Sequence, residues 1–196
     1  MPAPTPRRPA PAPAPQGPLA PSGPVDLREA RRWRAAWAAA GERVVLTNGC
    51  FDLLHVGHTR YLAAARALGD RLVVALNDDA STHRLKGPGR PILPLAERAE
   101  LLCALRWVDA VVAFGAPTAV AIVTALRPDV YVKGGDYAAA GNRPPEADAA
   151  EAVGARVAFV PFVAGQSTSG IVARIRAEAP RPLAERRVTP DDPAAP

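Results

Sequence analysis

Cysteine is nearly absent, with only Cys50 and Cys103 among the 196 residues. Two thiols supply neither a disulfide framework nor a metal cluster, and they suit a reducing, cytoplasmic setting. Lysine is as scarce: of 24 Lys and Arg, only Lys86 and Lys133 are lysine. Aromatic residues make up 5% of the chain. Two common phosphate-binding patterns are missing, G-x-x-x-x-G-K-[ST] and G-x-G-x-x-G. No apolar stretch follows Arg7 and Arg8, so no secretory signal is expected. The longest uncharged run, Ala110 to Leu126, is interrupted by Gly115-Ala116-Pro117. It predicts a strand, a turn and a helix, and no membrane partner. The net charge of +5 includes Arg7 and Arg8 in a tail. The small remainder argues against a nucleic-acid partner and suits small anionic ligands.

What is present is an Ala- and Val-rich sequence, 48% hydrophobic, of a length for one domain with a real core. Residues 1–24 hold ten of the 23 prolines and predict a disordered tail. A second flexible, Pro-rich tail is expected over 180–196, leaving 25–179 as the folded domain. Asp26 predicts the N-cap of a helix over 28–40, with Trp33 and Trp37 on one face for core or dimer packing. Apolar runs predict strands at 44–46, 71–77, 109–114, 129–132 and 156–162. Helices are expected from the His55–His58 turn through Leu68, from Pro94 to Leu105, over 117–126 and 146–153, and from Ser167 to about Ala177, with a short helical or irregular segment from Asp78. Strands that alternate with helices, each a continuous apolar run, predict an α/β fold. We expect a Rossmann-like three-layer αβα sandwich around a five-stranded parallel sheet.

The loops after the strands carry the unusual residues, and ligands of open α/β sheets bind at those strand ends. After the first strand come Asn48-Gly49-Cys50-Phe51-Asp52, then His55-Val56-Gly57-His58 at a helix start. Free N–H groups and the positive end of the helix dipole collect anions there. A spacing of three puts His55 and His58 on one helical face, and Gly57 lets a ligand approach the backbone. A zinc site would need ligands beyond Cys50, and no Cys-His-acid set makes Cys50 a nucleophile. Asp52 either caps a turn or faces substrate. Arg90 and Arg98 are either surface charges or phosphate neighbours. Both lysines stand in Lys-Gly pairs in these loops. A chain that otherwise uses Arg keeps a compact ammonium at Lys86 and Lys133, a point charge suited to phosphates.

The clusters 47–52, His55-Val56-Gly57-His58, 85–91 and Val132-Lys133-Gly134-Gly135-Asp136-Tyr137 together resemble the H-x-G-H nucleotidyltransferase superfamily. Within it they are most similar to the D-glycero-β-D-manno-heptose 1-phosphate adenylyltransferases, over roughly residues 27–178. Where relatives fuse this domain to a sugar kinase, this chain is expected to be the stand-alone form. The resemblance implies AMP transfer from ATP, with magnesium, to a sugar 1-phosphate, giving ADP-heptose and pyrophosphate. It implies catalytic roles for His55, His58 and Lys86. Nucleotide contacts are implied at Asn48, Gly49, Cys50, Phe51, Gly57, Lys133, Gly135, Ser167, Thr168 and Ser169. Substrate contacts are implied at Asp52, Lys86, Arg90, Arg98, Asp136 and Tyr137, with no dedicated metal ligand. The same motif serves cytidylyltransferases of alcohol phosphates such as glycerol 3-phosphate and FAD synthetase-like adenylyltransferases. A nucleotide-binding protein without chemistry is the rival of a different class.

Overall fold

The computed structural model describes residues 23–135, 143–161 and 165–178. The two expected tails, apart from Gly23 and Pro24, lie outside the described residues. In chain order the elements are α1 (Leu27–Ala39), β1 (Val44–Gly49), α2 (Val56–Arg66), β2 (Arg71–Asn77), α3 (Asp79–Lys86) and α4 (Leu95–Cys103). They continue with β3 (Ala110–Phe114), α5 (Val120–Leu126), β4 (Val130–Gly134), α6 (Pro145–Ala152), β5 (Arg156–Val160) and α7 (Thr168–Glu178). The strands form one all-parallel sheet in the order β3-β2-β1-β4-β5. This is the expected α/β, Rossmann-like architecture.

Alternation along the strands explains the layers. Val44, Leu46, Val73, Ala75 and Tyr131 point to one face, where α1, α5 and α6 cover them. Val45, Leu72, Val74, Leu76 and Val132 point to the other, under α2 and α4. With both faces covered, each strand must be apolar at successive positions, so the sequence shows runs and not alternation. Trp33 and Trp37, ring centroids 6.0 Å apart, pack half-buried against the first of these layers. No helix among the described residues is long and apolar enough to cross a membrane.

The two ends of the sheet differ chemically. At the amino ends, carboxylates close the open backbone donors: Asp70 accepts from Arg43 N at 2.9 Å, Asp129 from Val44 N at 2.7 Å and Asp109 from Leu72 N at 2.8 Å. At the carboxyl ends, the polar residues face a cavity. Two helix boundaries depart from expectation. The helix expected from Pro117 starts at Val120, because a side chain of α6, Glu146, takes the Ala119 N–H at 2.8 Å. The helix expected to reach Leu105 ends at Cys103, and Leu105 N turns back to Leu102 O at 3.1 Å in a tighter final turn.

Candidate active site

Chain direction across the sheet reverses between β1 and β4, which lie side by side. Crossovers leave in opposite directions from such a point, so a crevice opens at the carboxyl ends of the strands. A cavity of about 770 Å³ occupies it. The expected residues Asn48, Gly49, Cys50, Phe51, Asp52, His55, Gly57 and His58 line it, and so do Lys86, Arg90, Lys133, Ser167, Thr168 and Ser169.

His55 is the N-cap of α2, and its Nδ1 accepts from Gly57 N at 3.1 Å. An accepting Nδ1 places the ring proton on Nε2, which leaves that edge as a donor. The His58 ring stacks on His55 with centroids 3.9 Å apart and 29° between planes. Gly57 is needed for the histidines themselves. A Cβ there would stand 2.8 Å from the His55 ring and 3.1 Å from Gln166 Cβ. The place of a side chain at Gly57 is therefore taken by the His55 ring, while Gly57 itself still lines the cavity.

Burial holds His55 below the ordinary imidazole value. Burial pushes His58 further, to about 4, and His55 and Lys86 add to the shift while Asp52 opposes it. Both rings are neutral near pH 7. The unfolded chain protonates His58 near the ordinary value of 6.5 and the folded one near 4, so between these values the unfolded state binds more protons. Folding stability should fall by roughly 3 kcal/mol as pH drops from 6.5 to 4. Urea unfolding against pH measures this, and His58→Gln should flatten that window. Asp52 acts in a lower one. Burial raises its pKa, but donors from Ile92, Arg90 and Leu93 outweigh that and hold it below 3.8. Its contribution is complete above 3.8 and lost only as pH falls through its own lower value.

Asp52 lines the cavity, with its carboxylate engaged by the α3–α4 loop. Its carboxylate accepts from Arg90 Nη1 at 2.9 Å, Ile92 N at 2.9 Å and Leu93 N at 3.1 Å. Its backbone oxygen accepts from Thr168 Oγ1 at 2.7 Å. One residue thus ties the β1–α2 loop to the α3–α4 loop and to the start of α7. Phe51 and Leu53 on either side adopt φ of +45° and +50°. Such backbone costs about 1–3 kcal/mol per residue and persists only where the surroundings enforce it. Here the bonds to Asp52 do so. Lys86, at the end of α3, is exposed at the cavity, and Arg90 reaches it from its pair with Asp52.

Arg98 is a correction. Expected at substrate, it is fully buried and does not line the cavity. Its guanidinium donates to Leu93 O at 2.9 Å, Cys50 O at 2.7 Å, Asn77 O at 2.8 Å and Asp79 Oδ1 at 2.6 Å. It braces the ends of β1 and β2 from beneath. Gly135 also falls outside the lining and faces Pro161, 3.4 Å from its Cβ position. Asp136 and Tyr137 lie outside the described residues. Ser167 Oγ accepts from Gly170 N at 3.0 Å in the first turn of α7, and Thr168 is spent on Asp52, so Ser169 is the more open hydroxyl.

Sequence reasoning named Asn48 and Lys133 but missed Glu146, Tyr61 and Tyr131 around them. Asn48 Oδ1 accepts from Tyr131 Oη at 2.7 Å and Lys133 Nζ at 2.8 Å, so Lys133 reaches across from β4 to β1. Asn48 Nδ2 donates to Glu146 Oε1 at 3.3 Å. On the other face, Tyr61 Oη meets Thr47 Oγ1 at 2.7 Å. A carboxylate just inside a helix that starts with Pro145 reads as an ordinary first-turn acid. Nothing local marks Glu146 as a cavity residue.

Comparison with known proteins agrees with this geometry. The family model described as Cytidylyltransferase-like matches residues 46–164. The bifunctional protein HldE of Gluconacetobacter diazotrophicus is 52% identical over 146 residues, covering 73% of this chain and 29% of that protein. The bifunctional protein HldE of Halorhodospira halophila is 50% identical over 169 residues, 81% of this chain and 33% of that one. The chain therefore spans about a third of the length of these curated relatives. The crystal structure of the lipopolysaccharide core biosynthesis protein from Thermoplasma volcanium superposes with a TM-score of 0.51 at 30% identity, over 63% of this chain and 98% of that one. The matched residues run from β1 past β5 and include both histidines, so the chain belongs to the cytidylyltransferase-like family.

Proposed function

We propose that the chain transfers AMP from ATP to a sugar 1-phosphate, in the first place D-glycero-β-D-manno-heptose 1-phosphate. A phosphate oxygen of the acceptor attacks the α-phosphorus. The bond from that phosphorus to the β-phosphoryl oxygen breaks, and pyrophosphate leaves. The carrying observation is the stacked, neutral His55–His58 pair at the start of α2, in a cavity that Lys86, Arg90 and Lys133 also reach. The attacking oxygen is already an anion, so no base has to remove a proton. Positioning and neutralisation of charge do the work. The Nε2–H of His55 donates to an α-phosphate oxygen as charge accumulates. Lys86, exposed at the last position of α3 just before Gly87, follows the phosphates as a point charge. The similar crystal structure is of a lipopolysaccharide core biosynthesis protein, which supports an acceptor used in building that core.

No group of three His, Cys, Asp or Glu able to hold a metal occurs among the described residues. The Asp52 carboxylate is bonded to the 90–93 loop, so among the described residues no dedicated protein cage fits. Magnesium would be carried by the triphosphate beside Lys86 and Arg90 and would supply charge neutralisation there.

The test is pyrophosphate release by the full chain with ATP, magnesium and a panel of sugar 1-phosphates. Turnover is expected with the heptose 1-phosphate. Turnover only with CTP and glycerol 3-phosphate would overturn the acceptor and the base together. Tight ATP binding without pyrophosphate from any acceptor would leave a non-catalytic nucleotide-binding protein. Lys86→Ala should lower kcat on the order of 10- to 100-fold, and an unchanged kcat removes Lys86 from the mechanism.

A further inference from the structure

We propose that Glu146 reads the hydroxyl groups of the acceptor, its outer carboxylate oxygen taking hydrogen bonds from them. This rests on the reading of the chain as a transferase to a sugar phosphate. Glu146 is 5% exposed and lines the cavity. A buried carboxylate is ordinarily paired with a cation. Among the described residues no Lys or Arg pairs with Glu146, and the neighbouring Arg143 is spent on Asp148 and Glu151. Two neutral donors hold it instead, Ala119 N at 2.8 Å and Asn48 Nδ2 at 3.3 Å, and both bind Oε1. No described residue donates to Oε2, and this oxygen is not sealed away from solvent: His58 Nδ1 is the buried polar atom without a partner among the described residues. Oε2 therefore opens on the cavity.

A negative oxygen without a cation repels phosphate, so the part of a ligand lying there is neutral and rich in donors. Hydroxyl groups meet that description. The position agrees. Ala119, Ala147 and Ala150 pack on the α1, α5 and α6 face of the sheet, whereas the His55–His58 helix covers the opposite face. Gln166, next to the hydroxyls that open α7, lies close to Gly57 on that histidine side. The triphosphate thus has its anion-binding groups on the α2 side, and Glu146 faces the half where Phe114, Pro117 and Thr118 form the wall. Asn48 stands on β1 between the halves, and its amide is pinned by Tyr131, Lys133 and Glu146 itself.

The experiment uses Glu146→Gln in the full chain. Gln keeps the shape and can still accept from Ala119 N, but it presents NH₂ where Oε2 was. The KM for the heptose 1-phosphate should rise on the order of 10- to 100-fold, the loss expected for a hydrogen bond to a charged group. The KM for ATP should stay within about twofold, as Glu146 is assigned no nucleotide contact. A second measurement needs no variant: the wild type should reject, by a similar factor, the acceptor analogue lacking the hydroxyl that Glu146 reads, and Glu146→Gln should not reject it further. A rise in the ATP KM alone would place Glu146 at the ribose and overturn the proposal. Equal discrimination among deoxy acceptors in wild type and variant would overturn it too. If the wild type uses glycerol 3-phosphate and not sugar phosphates, the acceptor reading fails, yet the same KM split on glycerol 3-phosphate still decides on Glu146. If nothing turns over, calorimetric binding of the heptose 1-phosphate and glycerol 3-phosphate decides, and unweakened binding to Glu146→Gln rejects the proposal.

Discussion

His58→Ala should lower kcat for pyrophosphate release by about 10²- to 10³-fold, the loss that follows removal of one preorganised donor at the site of developing charge. Its ring stacks on His55 at 3.9 Å and also lies 5.4 Å from Phe51. His55→Ala should lower kcat comparably and also remove the N-cap of α2, at about 1 kcal/mol of stability. His58→Ala removes no such cap, and it deletes the buried Nδ1 that has no partner among the described residues. The two variants should therefore separate in urea unfolding while they coincide in rate. The double variant should be little slower than either alone, because stacked rings that act as a unit are not additive. Initial rates with saturating ATP and acceptor provide the measurement. A His58→Ala enzyme with wild-type kcat would remove the imidazole pair from the chemistry.

Arg98→Ala should cost about 3–5 kcal/mol of folding stability, the loss seen when one partner of a buried charge network is deleted. The guanidinium is fully buried and makes four hydrogen bonds, to Leu93 O, Cys50 O, Asn77 O and Asp79 Oδ1. Its removal takes a donor from three carbonyls, of which Asn77 O keeps Thr82 Oγ1, and leaves a void at the carboxyl ends of β1 and β2. Against a typical total of about 5–15 kcal/mol, this is a large share. Arg98→Lys should recover little, because an ammonium cannot reproduce the planar fork that reaches several acceptors at once. Urea midpoints with an unchanged slope would measure the effect. A loss below 1 kcal/mol for Arg98→Ala would contradict the bracing role.

These two residues also mark how far the sequence could be read. His55-Val56-Gly57-His58 was legible because it is short-range: a strand, a turn and a first helical turn fix its geometry within a few residues. Arg98 was ambiguous because an arginine on a helix looks alike whether its fork meets phosphate or main chain. Only the strands it reaches distinguish the two. Asp52 follows the same logic, since its partners Arg90, Ile92 and Leu93 are some forty positions away. Glu146 gave no local signal at all. Its burial comes from the packing of α5 against α6, and that is set by the sheet order.

Hydrophobic runs, helix caps and loop chemistry were enough, with no coordinates, to specify a parallel sheet covered on both sides and a phosphate-collecting turn at residue 55. These are properties of period and of neighbours close along the chain. Folding in three dimensions decided the rest: that the crevice opens between β1 and β4, that Asp52 bonds to the 90–93 loop and Arg98 to buried main chain, and that Glu146 lines the cavity from α6 with no ion pair among the described residues. Each of these depends on groups brought together from distant parts of the chain, and spacing along the chain carries no record of such meetings.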